Sequence, residues 1–192
     1  LKTLRKFGSR LQGHPHREFL PSVETSSGPL GSGLSQAIGM ALADKMMAGT
    51  PKNFYCLMGD GEMNEGNVWE ALLNLSKYNL TNIITIIDRN GIQIDGRTED
   101  VLPLESLVEK LKSFNFNVLE IDGHNMLEIV NAINIAKSNS IQPSVIIAHT
   151  IPGKGWSDIE GDYHWHGKAP NKEEAAKALK QIRTMGGKIN FE

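Results

Sequence analysis

The sequence predicts an α/β fold of three layers, in which a parallel sheet lies between helices on both of its faces. Four short apolar runs, mostly unbroken by polar residues, are typical of strands buried on both faces. These runs are residues 54–58, 83–87, 118–121 and 144–148. Segments with apolar residues three and four positions apart separate the runs and indicate amphipathic helices. Because strands and helices alternate along the chain, we expect a parallel sheet with right-handed crossovers.

The remaining elements follow from the same periodicity. Helices are predicted over residues 35–48, 68–78, 104–114, 126–137 and 171–185, and Gly186 and Gly187 are expected to end the last of them. His124 lies in the turn before the fourth helix and is expected only to serve the start of that helix. Two long loops, residues 8–33 and 149–170, are crowded with Gly, Pro and His. Loops of this length in a compact domain are usually functional or disordered.

Length and composition limit the class of protein. A chain of 192 residues is long enough to form one domain with its own core. Its 20 basic and 22 acidic residues give a net charge of −2, which argues against nucleic acid or an anionic membrane as a partner. The sequence has no apolar run of about 18 residues, so we expect a soluble protein. The single cysteine, Cys56, excludes an intrachain disulfide and fits a reducing compartment, which favours the cytoplasm.

An acidic turn follows the first predicted strand. Asp60 lies there between Gly59 and Gly61, and Asn90 follows the second strand thirty residues after Asp60. Adjacent parallel strands end at the same edge of a sheet, so these two side chains are expected to converge. Their oxygens, with a backbone carbonyl near Ile92, suit Mg²⁺ or Ca²⁺ that bridges to a diphosphate. A simpler interpretation remains open, in which Asp60 only forms the turn.

These motifs together resemble the transketolase family of thiamine diphosphate enzymes. The resemblance rests on GDGEMNEG at residues 59–66, WEA at 69–71, DRN at 88–90 and DG at 95–96. It implies the thiamine diphosphate binding (PP) fold, with Mg²⁺ or Ca²⁺ held by Asp60, Asn90 and the carbonyl of Ile92. It also implies that Glu65 and Glu70 lie at a dimer interface linking two active sites, where Glu65 takes part in catalysis. Solvated charges in the first turn of a helix are the alternative for these two residues.

Both long loops also resemble transketolase segments. His14 is similar to a histidine that faces the substrate. His166 is similar to a histidine near both the diphosphate and the reacting sugar, where an imidazole can carry protons to and from hydroxyl groups. The resemblance therefore implies an N-terminal cofactor loop over about residues 1–34 and a C-terminal one over about 149–170. The implied cofactor contacts are His14, Gly28, Pro29, Leu30, Gly59, Asp60, Gly61, Glu62, Asn90, Ile92 and His166.

The resemblance covers about residues 5–179 and does not include the family's pyrimidine-binding domain. We therefore expect residues 1–192 to form a single PP domain, the N-terminal section of a split or truncated transketolase. The implied enzyme is a homodimer that needs a separate pyrimidine-binding subunit. It would transfer a two-carbon ketol group from a ketose phosphate to an aldose phosphate, as in the pentose phosphate pathway. Two alternatives are a cofactor-binding module with little or no activity, and another thiamine enzyme, whose motifs fit residues 64–69 less well.

Overall fold

A computed structural model describes residues 2–47 and 52–184 of the chain. Its centre is a four-stranded parallel sheet in the order β1-β2-β6-β5, and a short antiparallel hairpin, β3-β4, follows β2. The strands are β1 (Phe54–Gly59), β2 (Ile83–Arg89), β3 (Ile92–Gln93), β4 (Gly96–Arg97), β5 (Asn117–Asp122) and β6 (Ser144–His149). The α-helices are α1 (Ser32–Met46), α2 (Gly66–Lys77), α3 (Thr98–Val101), α4 (Leu107–Ser113), α5 (Met126–Ser138) and α6 (Lys172–Thr184). Nowhere in these two ranges is a helix long and apolar enough to cross a membrane.

Apolar side chains cover both faces of the central sheet. On one face, buried residues of α1, α2 and α4 pack against Cys56, Ile83 and Val145. On the other face, Ala132 and Ala136 of α5 pack against Ile84 and Ile146. Consecutive strand residues point to opposite faces, so double-sided burial requires the continuous apolar runs seen in the sequence. The predicted three-layer α/β/α arrangement is therefore confirmed.

The helix boundaries differ from prediction in places. α1 begins at Ser32 rather than at residue 35, and α4 begins at Leu107 rather than at residue 104. The carboxylate of Glu99 accepts the backbone N–H groups of Leu104 and Glu105 at 3.1 and 3.3 Å, which holds these two residues outside the helix. The predicted ends of the first and last helices, residues 48 and 185–187, lie outside the described ranges.

The register of β1 and β2 positions the site. The two strands are parallel neighbours, with Gly59 opposite Asp88. The N–H of Asp60 then donates to the carbonyl of Asp88 at 3.1 Å. Both strands therefore end at one edge of the sheet, and the turn after β1 lies beside the turn after β2.

Candidate functional site

Asp60 is a fully buried carboxylate at this edge, with a relative exposure of 0%. Its Oδ2 accepts the N–H of Gly91 at 2.7 Å and the hydroxyl of Thr98 at 3.3 Å, and it forms an ion pair with Arg89 at 2.7 Å. Its Oδ1 accepts one hydrogen bond among the described residues, from the N–H of Gly61 at 2.8 Å. The two oxygens thus differ, because Oδ2 is saturated by donors while Oδ1 keeps a lone pair for another partner.

Asn90 is held in one orientation by its neighbours. Its amide nitrogen donates to Asp88 Oδ2 at 3.0 Å, and its Oδ1 accepts the N–H of Ile92 at 3.0 Å. The hydroxyl of Thr150 donates to the other oxygen of Asp88. Asp88 therefore orients the amide of Asn90 and also connects it to the chain that follows β6.

Gly61 allows the β3-β4 hairpin to approach the turn after β1. A Cβ atom at this position would lie 3.0 Å from the Cβ of Gln93 and 3.8 Å from the carbonyl oxygen of Ile92. A side chain at this position would require Gln93 to shift by a few tenths of an ångström, whereas the Ile92 carbonyl would remain at an ordinary contact distance. The close approach gathers one carboxylate, one side-chain amide and one backbone carbonyl around a common space.

That space is a cavity of about 340 Å³ at the carboxyl ends of β1 and β2. Most of the residues that line it were assigned to the cofactor site from the sequence; the exceptions are Gln93, Ile94 and Asp95. The full lining is Leu30, Gly59, Asp60, Gly61, Glu62, Asn90, Ile92, Gln93, Ile94, Asp95 and His166.

A second cavity of about 300 Å³ adjoins the first and shares Asn90, Ile92 and His166 with it. Residues 152–166 of the C-terminal loop form its other wall. Within this loop the rings of Trp156 and Trp165 meet edge to face, with centroids 5.0 Å apart. The C-terminal loop thus forms a wall beside this sheet edge, and it brings His166 to the border of both cavities.

The remaining predicted site residues lie outside the lining of both cavities. His14 and Gly28 contact each other, since a Cβ at Gly28 would lie 2.7 Å from His14 Nδ1, and both are exposed. Pro29 is also exposed. Glu65 precedes α2 without a capping hydrogen bond from its side chain, and Glu70 is exposed on that helix. The roles assigned to these residues stay predictions.

The cavity is rich in negative charge. Asp60, Glu62 and Asp95 line it, whereas Arg89 directs its guanidinium into a group of carboxylates. Burial opposes the charged form of Arg89, but hydrogen bonds to Asp60, Glu105 and Glu99 outweigh burial and raise its pKa. An anionic diphosphate would be repelled here unless a divalent cation joined it to the protein.

The donor set fits such a cation. Asp60, Asn90 and the Ile92 carbonyl offer oxygen ligands only, which Mg²⁺ and Ca²⁺ prefer. Within residues 2–47 and 52–184, no group of three or more His, Cys, Asp and Glu is placed to hold a metal by side chains alone. A cation bound at this edge would therefore need oxygens from a ligand, such as those of a diphosphate, to complete its coordination.

Sequence reasoning missed several residues that build the site. Asp88 and Arg89 belong to the motif DRN at residues 88–90, but the resemblance implies no role for either. His124 was expected to serve only the start of α5, yet Asn125 caps that helix. The Nε2 atom of His124 instead accepts the N–H of Ile151 at 2.8 Å, which fastens the start of the C-terminal loop. Charged residues at the end of an otherwise apolar strand were the available signal for Asp88 and Arg89.

Comparisons with known proteins identify the family of this chain. Residues 1–192 match the family described as the transketolase, thiamine diphosphate binding domain. The chain is 42% identical over 190 residues to one of the subunits of the apulose-4-phosphate transketolase of Phocaeicola vulgatus, covering 99% of this chain and 67% of that protein. It is 38% identical over 186 residues to the 6-deoxy-6-sulfo-D-fructose transketolase subunit SqwG of a Clostridium species, covering 97% and 67%.

A solved structure shows the same fold. The transketolase of Campylobacter jejuni aligns with a TM-score of 0.87 and 34% identity, covering 94% of this chain and 29% of that one. The chain thus spans about two thirds of the length of the subunit relatives and less than a third of this transketolase.

Proposed function

The chain belongs to the transketolase family, in which it matches the thiamine diphosphate binding domain, and we propose that it is one subunit of a two-chain ketol transferase. In this proposal residues 1–192 form one PP domain that binds thiamine diphosphate through Mg²⁺ or Ca²⁺. The observation that carries the proposal is the cavity at the ends of β1 and β2, where oxygen donors converge in an acidic lining.

Three residues would hold the cation. Asp60 offers Oδ1, which accepts one hydrogen bond within the described ranges. Asn90 has its amide fixed by Asp88, and its oxygen retains a lone pair beside the Ile92 N–H. The carbonyl of Ile92 lies across from Gly61. These three protein oxygens would leave other coordination positions of the cation for diphosphate oxygens and water. Mg²⁺ is usually bound in this way.

Other residues would shape the site around the cofactor. Thiamine diphosphate supplies the stabilisation of a carbanion next to a former carbonyl group, and the protein supplies orientation and proton transfer. His166 borders both cavities and can move protons to and from a substrate hydroxyl. Leu30 provides an apolar wall. His14, Gly28 and Pro29 would join the site when the loop before α1 contacts the cofactor, and Glu65 would act across a dimer interface.

The substrates and partners belong to the same proposal. Two relatives are named as transketolase subunits, which supports a second chain as the source of the pyrimidine-binding domain. The reaction would move a two-carbon ketol group between a ketose phosphate and an aldose phosphate. We further propose a homodimer, since Glu65 beside α2 and Glu70 on α2 are exposed and available to a second copy. The proposed compartment is the cytoplasm, because the single cysteine fits a reducing environment.

Isothermal titration calorimetry tests the cation and cofactor site. Thiamine diphosphate should bind the wild-type chain in the presence of Mg²⁺ or Ca²⁺, and EDTA should abolish binding. Asp60→Asn keeps the shape of the side chain but removes the charge, so cation-dependent affinity should fall at least about tenfold. Asp100→Asn, an exposed position on α3, is the matched control. Circular dichroism establishes that both variants fold, and equal affinity in Asp60→Asn would contradict the assignment.

A mixing assay tests the two-chain enzyme. Ketol transfer from xylulose 5-phosphate to ribose 5-phosphate is measured for the chain alone and for its mixture with the pyrimidine-binding chain of a split transketolase. Activity that requires both chains supports the proposal. Cofactor binding without any activity in the mixture would favour a cofactor-binding module with no turnover.

A further inference from the structure

Arg89 lies at the end of β2 and is surrounded by carboxylates. Only 9% of its side chain is exposed. Its Nη1 pairs with Asp60 at 2.7 Å, and its Nη2 pairs with Glu99 at 2.7 Å and with Glu105 at 2.8 Å. A planar guanidinium can donate hydrogen bonds to partners in two directions at once. A lysine ammonium on a flexible side chain does this less well.

The contact with Asp60 selects one oxygen of that carboxylate. Arg89, the N–H of Gly91 and the hydroxyl of Thr98 all donate to Oδ2. Oδ1 receives only the N–H of Gly61 among the described residues. Because Oδ2 is occupied by donors on several sides, a cation in the cavity would find Oδ1 as the available oxygen.

The other contacts of Arg89 fix the guanidinium itself. Glu99 is tied to the backbone through the N–H groups of Leu104 and Glu105, and Glu105 accepts the N–H of Leu107 at 3.0 Å. The connection between α3 and α4 is thus a hydrogen-bonded support for Arg89. The chain of contacts runs from this connection through Arg89 to the carboxylate of Asp60.

We propose that Arg89 is a positioning residue that holds Asp60 so that Oδ1, and not Oδ2, is offered to the cation of the thiamine diphosphate site. The proposal rests on the proposed cation and cofactor function. It assigns to Arg89 no contact with the cation or the cofactor, since Arg89 acts through Asp60. Residues behind a metal ligand commonly set its orientation, and their loss weakens metal binding by about 10- to 100-fold.

The test is Arg89→Lys, which keeps the positive charge and loses the two-directional contact. Binding of Mn²⁺ is measured by electron paramagnetic resonance in the presence of thiamine diphosphate. We expect the dissociation constant to rise about tenfold and the spectrum of bound Mn²⁺ to change, because the ligand geometry is no longer fixed. Arg97→Lys, at an exposed position on β4, is the matched control and should stay near the wild-type value.

A second variant separates positioning from general stability. Glu99→Gln weakens one support of the guanidinium without altering Arg89 or Asp60, and it should raise the dissociation constant about threefold. A purely structural role would lower the melting temperature of the cation-free protein without changing Mn²⁺ affinity or the bound spectrum, so both are recorded.

The outcomes distinguish this inference from the proposed function. Wild-type affinity and spectrum in Arg89→Lys, or in Glu99→Gln if Arg89→Lys does not fold, would overturn the role of Arg89 and leave the cation site intact. Failure of the wild-type chain to bind Mn²⁺ together with thiamine diphosphate would overturn the proposed function and this inference with it.

Discussion

Glu62 Oε1 accepts the backbone N–H of Gly31 at a distance of 2.7 Å. The other oxygen of this carboxylate accepts the N–H of Gly59 at 3.2 Å. Gly31 is buried with a φ of 77°, and Leu30 before it lines the cavity. A single side chain therefore connects the loop before α1 to the end of β1 and sets the position of one wall of the site.

Replacing Glu62 by Gln should loosen this connection. The amide keeps one acceptor oxygen, so one of the two glycine N–H groups then faces an NH₂ group. We expect the free energy of unfolding to fall by about 1–3 kcal/mol, as for the loss of an acceptor from a partly buried donor. Because Leu30 directly precedes Gly31, thiamine diphosphate affinity should also fall, by about tenfold. Urea unfolding and calorimetric titration measure the two effects.

Glu173→Gln, at an exposed position in the first turn of α6, is the control for the loss of one carboxylate. It should change neither quantity appreciably. If Glu62→Gln lowered stability but left cofactor affinity at the wild-type value, Glu62 would support the fold without shaping the site.

The sequence was sufficient to predict the central sheet and the convergence of Asp60 with Asn90. Strands buried on both faces leave continuous apolar runs, and adjacent parallel strands must end together, so both features follow from local pattern and topology. The convergence also requires β1 and β2 to be neighbours in the sheet. The pairing of Gly59 with Asp88 confirms that they are.

Features that depend on individual contacts, and not on periodicity or strand order, could not be predicted. The late start of α4 depends on the Glu99 carboxylate, whose hydrogen bond to Leu104 has no counterpart in helix periodicity. The direction of the Arg89 side chain depends on Asp60, which is 29 residues earlier in the chain. The approach of Gln93 to Gly61 likewise needs the fold to exist first.

Cys56 should be almost unreactive in the folded protein. It is only 6% exposed, and burial, with a smaller effect from the nearby Glu62, raises the pKa of its thiol to about 12. The thiolate is the reactive species, so very little of it exists at pH 8. We expect modification by Ellman's reagent to be at least about 100-fold slower in buffer than in denaturant. Fast modification in buffer would show that this strand opens readily.

The same thiol should weaken the fold at alkaline pH. The pKa of the thiol is higher in the folded state than the value of about 8.5 expected in the unfolded state. The protonated thiol therefore makes its full contribution to the free energy of unfolding below a pH of about 8.5. The contribution is lost as the pH rises toward about 12, by about 1.4 kcal/mol per pH unit at most. Urea unfolding between pH 8 and pH 10 measures the slope. Cys56→Ala should show a smaller slope, and equal slopes would contradict the expectation.

His124 should control the start of the C-terminal loop. Its Nε2 accepts the N–H of Ile151, and His124→Phe removes this acceptor. Because both residues are exposed, water can replace the lost bond, and the stability change should stay below about 1 kcal/mol. Hydrogen exchange at Ile151 and the residues that follow it should nevertheless become faster.

A variant that restores an acceptor tests the cause of this change. The side-chain oxygen of His124→Gln can accept the Ile151 N–H, so exchange should return part of the way to the wild-type rate. Equal exchange rates in His124→Phe and the wild type would mean that other contacts hold the loop, such as the hydrogen bond from the Thr150 N–H to the carbonyl of Arg89.

Glu105 should make the fold sensitive to acid. The N–H of Leu107 and the guanidinium of Arg89 hold the pKa of this carboxyl below its usual value. A carboxyl with a lower pKa in the folded state stabilises the protein above its unfolded-state pKa, about 4.3 for Glu. This contribution is lost as the pH falls through the folded-state value. Glu105→Gln should therefore be less stable than the wild type at pH 7, and the difference should shrink toward pH 3.

The size of this difference is limited by solvent, because 54% of the Glu105 side chain is exposed. Screening keeps the contribution below about 1 kcal/mol, so the comparison needs urea unfolding at several values of pH rather than one. Glu109→Gln, on the exposed face of α4 where Glu109 pairs with Lys112, is the control for loss of a surface charge. A difference between Glu105→Gln and the wild type that stayed constant from pH 7 to pH 3 would show that the Arg89 contact does not depend on the charge of Glu105. In that case the charge of Glu105 would not contribute to the stability of the fold, and the effect of Glu105→Gln would come from its altered hydrogen bonds.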